Sequence, residues 1–150
     1  MRRANFRISS NEEGRNMAEQ IWLDAIVEGK DAWDKTRTVF PEENPDLSYT
    51  DLFEIDFKGW NLTKANFKGT DLSGADFSGA DLSGALFNDC DLVGAVFVDA
   101  TIEGASFEGA EIANANFGGA EAPDTTVIPP SVRRQRMIEE RKRQEQEGKG

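Results

Sequence analysis

The sequence predicts a solenoid of short, near-identical repeats, and three observations carry that prediction. From Leu47 to Phe117 every fifth residue is apolar: Leu47, Leu52, Phe57, Leu62, Phe67, Leu72, Phe77, Leu82, Phe87, Leu92, Phe97, Ile102, Phe107, Ile112 and Phe117. Two residues before most of these centres stands a small residue, as in Ala65, Thr70, Ala75, Ala80, Ala85, Cys90 and Ala95. Two residues after most of them stands Gly, Asp or Asn, as in Gly69, Gly74, Asp89, Gly94 and Asn114. A helix repeats at about 3.6 residues and a strand at about 2.0, so neither yields a strict five. The internal period therefore decides the architecture ahead of local propensity.

The unit Ala75-Asp76-Phe77-Ser78-Gly79, followed by Ala80-Asp81-Leu82-Ser83-Gly84, resembles the pentapeptide-repeat family. The resemblance implies an all-β solenoid, a right-handed four-sided parallel β-helix with one five-residue unit per side and four units per coil. It implies much less about activity, because such a scaffold hosts varied uses and a fold is not a function.

The residues support the same architecture on physical grounds. The central Leu or Phe points inward and fills the coil. The small residue two positions earlier also points inward, toward a corner with no room for more. The other three positions face water. Gly, Asn and Asp at the last position tolerate positive φ, as the third residue of a type II turn requires. Glu54 and Lys64 break that rule, so a different turn is expected at those two corners. Phe alternates with Leu or Ile along the repeats. With four units per coil, Phe57, Phe77, Phe97 and Phe117 stack on one side and Phe67, Phe87 and Phe107 on the opposite side. Coils about 4.8 Å apart give a rod only about 15–20 Å long.

The repeats occupy residues 47–122. Residues 1–16 are polar and of mixed charge, and read as a disordered N-terminal extension. Residues 17–46 read as a helical N-terminal cap. Asn16 and Glu19 mark a helix start, Met17, Ile21, Trp22, Ala25 and Ile26 form an apolar face, and Gly29 stops it. A second short helix is expected from Asp31, carrying Ala32 and Trp33. The open end of a solenoid exposes unpaired backbone and an apolar lumen, so it needs a cover. Trp22, Trp33 and Phe40 are the expected cap-packing residues. Ile55 and Trp60 are too large for a regular corner, which predicts a distorted first coil. Residues 123–150 read as a Pro-bounded linker and a charged helix or tail. Ser131 can start that helix, and Val132, Met137 and Ile138 are its only apolar residues.

The net charge is −11, and residues 47–121 alone carry −10, whereas residues 131–150 carry +3. An acidic shaft repels nucleic acid and favours basic partners. One Cys and no His exclude an internal disulfide and a histidine base. The polar N-terminus and the lack of a membrane-length apolar run predict a cytoplasmic chain with no membrane contact.

No nucleophile–base pair, Cys/His metal cluster or phosphate-binding loop appears, so neither catalysis nor a cofactor is expected. Cys90 replaces Ala in an inward column and reads as a small buried hydrophobe. Asp51, Asp71, Asp91 and Glu111 form an acidic ladder up one side. A cation such as Ca²⁺ bridging it would need carbonyl or bidentate ligands that are not evident, so a hydrated ladder is expected. The outward apolar residues Leu86, Val93, Val96 and Val98, with Phe53 two coils below Val93, are the protein-contact candidates. They suit a homodimer or another protein partner; the alternative is that they merely extend the packing surface of the cap or tail. The expected function is a non-enzymatic interaction or scaffold module. The family resemblance also implies an alternative, DNA mimicry directed at a type II topoisomerase (gyrase), which it would protect or inhibit. The short shaft and the lack of an apolar C-terminal dimerisation segment weigh against that alternative.

Overall fold

The computed structural model describes residues 17–120, 138 and 141–148. The expectations for residues 1–16 and for most of 121–150 lie outside the described residues.

The shaft is closed by parallel backbone pairs that each join a residue to the one twenty further on, from Asp46 with Asn66 to Val96 with Asn116. Twenty residues are four units of five, so each coil has four sides. The first face is centred on residues 47, 67, 87 and 107, the second on 52, 72, 92 and 112. The third is centred on 57, 77, 97 and 117, the fourth on 62, 82 and 102. On the second face Leu72 N–H donates to Asp91 O at 2.8 Å and Gly74 N–H to Val93 O at 2.8 Å. Between the sides the chain turns, with Ala75 N–H donating to Leu72 O at 3.0 Å and Gly74 at φ 67°.

The corners at Glu54 and Lys64 were expected to differ, and they do not. Glu54 has φ 56° and Lys64 φ 59°, and the same turn hydrogen bonds form, Ile55 N–H to Leu52 O at 3.3 Å and Ala65 N–H to Leu62 O at 3.1 Å. Left-handed backbone costs a non-glycine residue about 1 kcal/mol. Ladder bonds at those same residues, Glu54 N–H to Ser73 O and Lys64 N–H to Ser83 O, both at 2.8 Å, hold the conformation against that cost. A different constraint governs where side chains stand. Tyr49 leans over Gly69, where an added Cβ would lie 2.5 Å from Tyr49 Cε1. Asp89 overhangs Gly109 and Asp99 overhangs Gly119 in the same way. In every column a side-chain-bearing corner is followed one coil later by glycine, where a following coil is described.

The core is an aromatic stack flanked by aliphatic columns. On the third face Phe57–Phe77, Phe77–Phe97 and Phe97–Phe117 stack at 5.4, 4.9 and 4.6 Å. On the first face Phe67–Phe87 and Phe87–Phe107 stack at 5.1 and 4.9 Å. The two stacks meet edge to face across the lumen, as Phe87 and Phe97 do at 5.7 Å. This is the arrangement expected from the Phe alternation, and its spacing is that of paired strands. Buried Thr70 and Cys90 occupy the small-residue column and donate to carbonyls of the coil below, Thr70 Oγ1 to Leu47 O and Cys90 Sγ to Phe67 O, both at 2.7 Å.

Two helices precede the shaft, α1 (Met17–Glu28) and α2 (Lys30–Val39). They meet at Gly29, whose φ of 107° permits the sharp reversal. The buried face of α1 is Trp22, Leu23, Ala25 and Ile26. Ile21, expected on that face, is 37% exposed, and Leu23 is fully buried in its place. Trp33 of α2 donates its Nε1–H to Asn61 O at 2.6 Å and packs on Trp60 with ring centroids 5.6 Å apart. Trp60 in turn meets Phe57 edge to face at 4.9 Å, so the aromatic stack runs unbroken from the helices into the shaft. Phe40, at the rim, touches Trp22 at 6.3 Å and stays partly exposed.

The first coil is therefore not distorted by Ile55 and Trp60. Phe57 N–H still donates to Asp76 O at 2.8 Å and Trp60 N–H to Phe57 O at 3.1 Å. No coil lies beneath this one, so the Trp60 ring extends toward Trp33 and does not crowd the lumen.

Candidate interaction faces

The outward positions differ from face to face. On the second face the position before each centre is Asp51, Asp71, Asp91 and Glu111, and backbone pairing stacks them in register. The position after each centre on that face is Phe53, Ser73, Val93 and Ala113, without a charge. An acidic column and an uncharged, partly apolar column thus run side by side along the shaft. The third face carries Asp56, Asp76, Val96 and Asn116 before its centres, with Lys58, Ser78, Val98 and Gly118 after them.

Phe53 is 46% exposed and Val93 39% exposed, two coils apart in one column. Val96 and Val98 lie round the next corner from Val93 and are half-buried among their neighbours. Leu86 is 41% exposed but does not join them. It sits on the first face, opposite the third, because ten residues between Leu86 and Val96 are two sides of the coil. The structure puts Val93 and Val96 on either side of one corner, Val98 further along the third face and Phe53 two coils below Val93, and it leaves Leu86 on the far side.

The outward Asp and Asn residues have a local task that the sequence reading missed. Asp71 Oδ1 accepts from Ser73 N–H at 3.0 Å and Ser73 Oγ at 2.6 Å, and Asp76 does the same with Ser78 at 2.9 and 2.6 Å. Asp91 accepts from Val93 N–H at 3.0 Å, and Asn66 and Asn116 accept the equivalent bonds from Lys68 and Gly118. Each is an Asx turn that orders the side chain through its Oδ1. The signal was present in the Asp-x-Ser spacing of Asp71-Leu72-Ser73, Asp76-Phe77-Ser78 and Asp81-Leu82-Ser83. Among the described residues no group of three His, Cys, Asp or Glu side chains could hold a metal ion, and that includes the ladder.

A family model for pentapeptide repeats matches residues 50–89 and 90–122, with eight copies. This chain belongs to the pentapeptide-repeat family. It is similar to the solved structure of HetL, a pentapeptide repeat protein involved in heterocyst differentiation regulation from the cyanobacterium Nostoc sp., at 32% identity and a TM-score of 0.50. That match covers 56% of this chain and 39% of HetL, so the chain spans well under half the length of that relative. A pentapeptide repeat protein of the Arabidopsis thaliana thylakoid lumen is 30% identical over 57% of this chain and 72% of its own, with a TM-score of 0.45. QnrB1, a plasmid-mediated fluoroquinolone resistance protein, is 26% identical over 52% of this chain and 50% of its own, with a TM-score of 0.26. No curated protein matches the chain.

Among the described residues two groups have shifted acidity, Arg37 in α2 and Cys90 in the shaft, and burial is the larger cause in both. Burial pushes the Cys90 thiol up from 9.0 to about 12, with backbone contacts to Thr70 and Gly69 opposing the shift and the charges of Asp89 and Asp91 adding to it. A thiol that remains protonated is a poor nucleophile. Burial lowers the Arg37 guanidinium below its usual value, with Asp81 opposing the shift. Arg37 donates to Thr63 Oγ1 and to Glu43 O, and its guanidinium lies 5.9 Å from the Trp22 ring centre. It ties α2 to the first coil. None of the described helices is long and apolar enough to cross a membrane.

Proposed function

We propose that this protein is a non-enzymatic interaction module: a right-handed pentapeptide-repeat β-helix, capped at its first coil by α1 and α2, that presents fixed faces to a protein partner. One observation carries the reading. The lumen is filled by buried Phe, Leu and Ile side chains, yet Phe53, Val93, Val96 and Val98 stand outside it on the adjoining second and third faces. At Val96 and Val98 the coil below has Asp76 and Ser78, and at Val93 it has Ser73. Apolar residues displaced from a repeat that would fold as well with polar ones mark a contact surface.

That comparison supplies the test. Val93→Ser, Val96→Asp and Val98→Ser rewrite the patch in the chain's own repeat language, so folding is retained and circular dichroism checks it. A tagged wild-type chain captures a partner from host lysate that the triple variant fails to capture. Capture undiminished by the three substitutions overturns this surface. A topoisomerase held through the acidic faces, insensitive to the substitutions, would replace the reading with DNA mimicry.

A further inference from the structure

The second face carries a more specific inference, which rests on reading the chain as an interaction module. We propose that this face docks the basic C-terminal segment of a second copy of the chain, and that two copies exchange these segments reciprocally.

Three observations point there. The face is chemically two-sided, with Asp51, Asp71, Asp91 and Glu111 in one column and exposed Phe53 and Val93 in the other. The columns are two residues apart along the strand, about 6.6 Å. Four rungs span about 14 Å, the length of about ten helical residues. The Asx turns at Asp71 and Asp91 hold one oxygen of each carboxylate on the backbone, so these side chains do not have to be ordered on binding.

The second observation is a ligand of matching chemistry in the same chain. Residues 131–150 carry +3. Residues 141–147 are helical and exposed, and Ile138 is helical and 50% exposed. On a helix Ile138 shares a side with Arg141 and Lys142, three and four residues on, which places one apolar and two basic groups together. That side matches the apolar and acidic columns of the second face.

The third is charge. Two shafts at −10 each over residues 47–121 repel one another, so shaft-to-shaft pairing is opposed. Tail-to-shaft contact is attractive, and reciprocal exchange closes the assembly as a dimer and prevents an open chain of copies.

Sedimentation equilibrium on the full chain tests this. Asp71→Asn/Asp91→Asn removes the two central charges of the acidic column while keeping the fold, since Asn61, Asn66 and Asn116 already accept the same backbone bond. Arg141→Gln/Lys142→Gln/Arg143→Gln neutralises the tail. The wild type dimerises reversibly, and its dissociation constant rises at least about tenfold in either variant and on raising salt from about 50 to about 500 mM. Combining both sets adds little, because they remove one contact. A chain that stays monomeric at low salt, or dimers indifferent to either set, overturns the proposal. Those results leave the interaction-module reading intact if lysate capture is still lost in the Val93/Val96/Val98 variant.

Discussion

Phe97→Ala tests whether the aromatic stack is the element that holds the shaft together. Phe97 is fully buried, stacked between Phe77 at 4.9 Å and Phe117 at 4.6 Å, with edge contacts to Phe87 and Phe107 at 5.7 Å each. Truncating a buried Phe costs about 3–5 kcal/mol, depending on how far the site collapses. Here collapse is blocked, because ladder bonds such as Phe77 N–H to Val96 O at 2.7 Å hold the coils at strand spacing. The cost therefore falls at the upper end, about 4–5 kcal/mol. Phe117, in the last described coil, has one stacked and one edge partner, at 4.6 and 5.5 Å, and its truncation costs about 3 kcal/mol. Urea denaturation followed by circular dichroism reads both. With a slope of about 1.5 kcal/mol per molar urea, the midpoints fall by about 3 M and about 2 M. If the Ala variant does not fold, Phe97→Leu carries the comparison at about 1 kcal/mol, since Leu fills the same position on the neighbouring faces. Equal shifts at the two sites, or a Phe97→Ala cost below about 1.5 kcal/mol, would refute a continuous stack.

Three further outcomes follow from the geometry. Gly59→Ala, where the new Cβ meets nothing within 4 Å, costs only the left-handed strain of about 1 kcal/mol. Gly69→Ala costs about 0.5–1 kcal/mol more, because Tyr49 must move, and Tyr49→Gly in the same chain removes that excess in a double-mutant cycle. Cys90 resists a disulfide reagent at neutral pH until the chain unfolds. Its folded value of about 12 lies above the ordinary 9.0, so the stability it contributes is present below pH 9.0 and is lost between there and pH 12. The loss runs at about 1.4 kcal/mol per pH unit, and Cys90→Ala, nearly neutral at pH 7, loses correspondingly less in alkaline urea titrations. Trp33→Phe removes the donor to Asn61 O and costs about 1 kcal/mol, read as a fall of about 4–8 °C in Tm.

The Asx turns explain why the shaft can be so acidic. A carboxylate at the position before a centre accepts a backbone N–H that would otherwise have only water, so each Asp adds order along with charge. The like-charge repulsion of the ladder is spread over groups that are exposed, as Asp91 and Glu111, or half-buried, as Asp51 and Asp71, and it is screened by salt. Where the chain departs from Asp or Asn at that position, as at Leu86 and Val96, it gives up that bond.

The five-residue pattern by itself determined which side chains face inward, the two Phe stacks and the structural place of Cys90. It could do so because inward position depends only on spacing within a unit, and size and polarity report that spacing directly. Tertiary structure decided the rest. Glu54, Lys64 and Tyr49 take the glycine conformation because ladder bonds to the next coil outweigh their local preference. Ile21 yields to Leu23 on α1 because the packing partner sets the angle of the buried face, which helical spacing alone leaves within a residue. Leu86 parts from Val93 and Val96 because neighbourhood on the surface is a property of the closed coil, where ten residues along the chain are half a circuit around it.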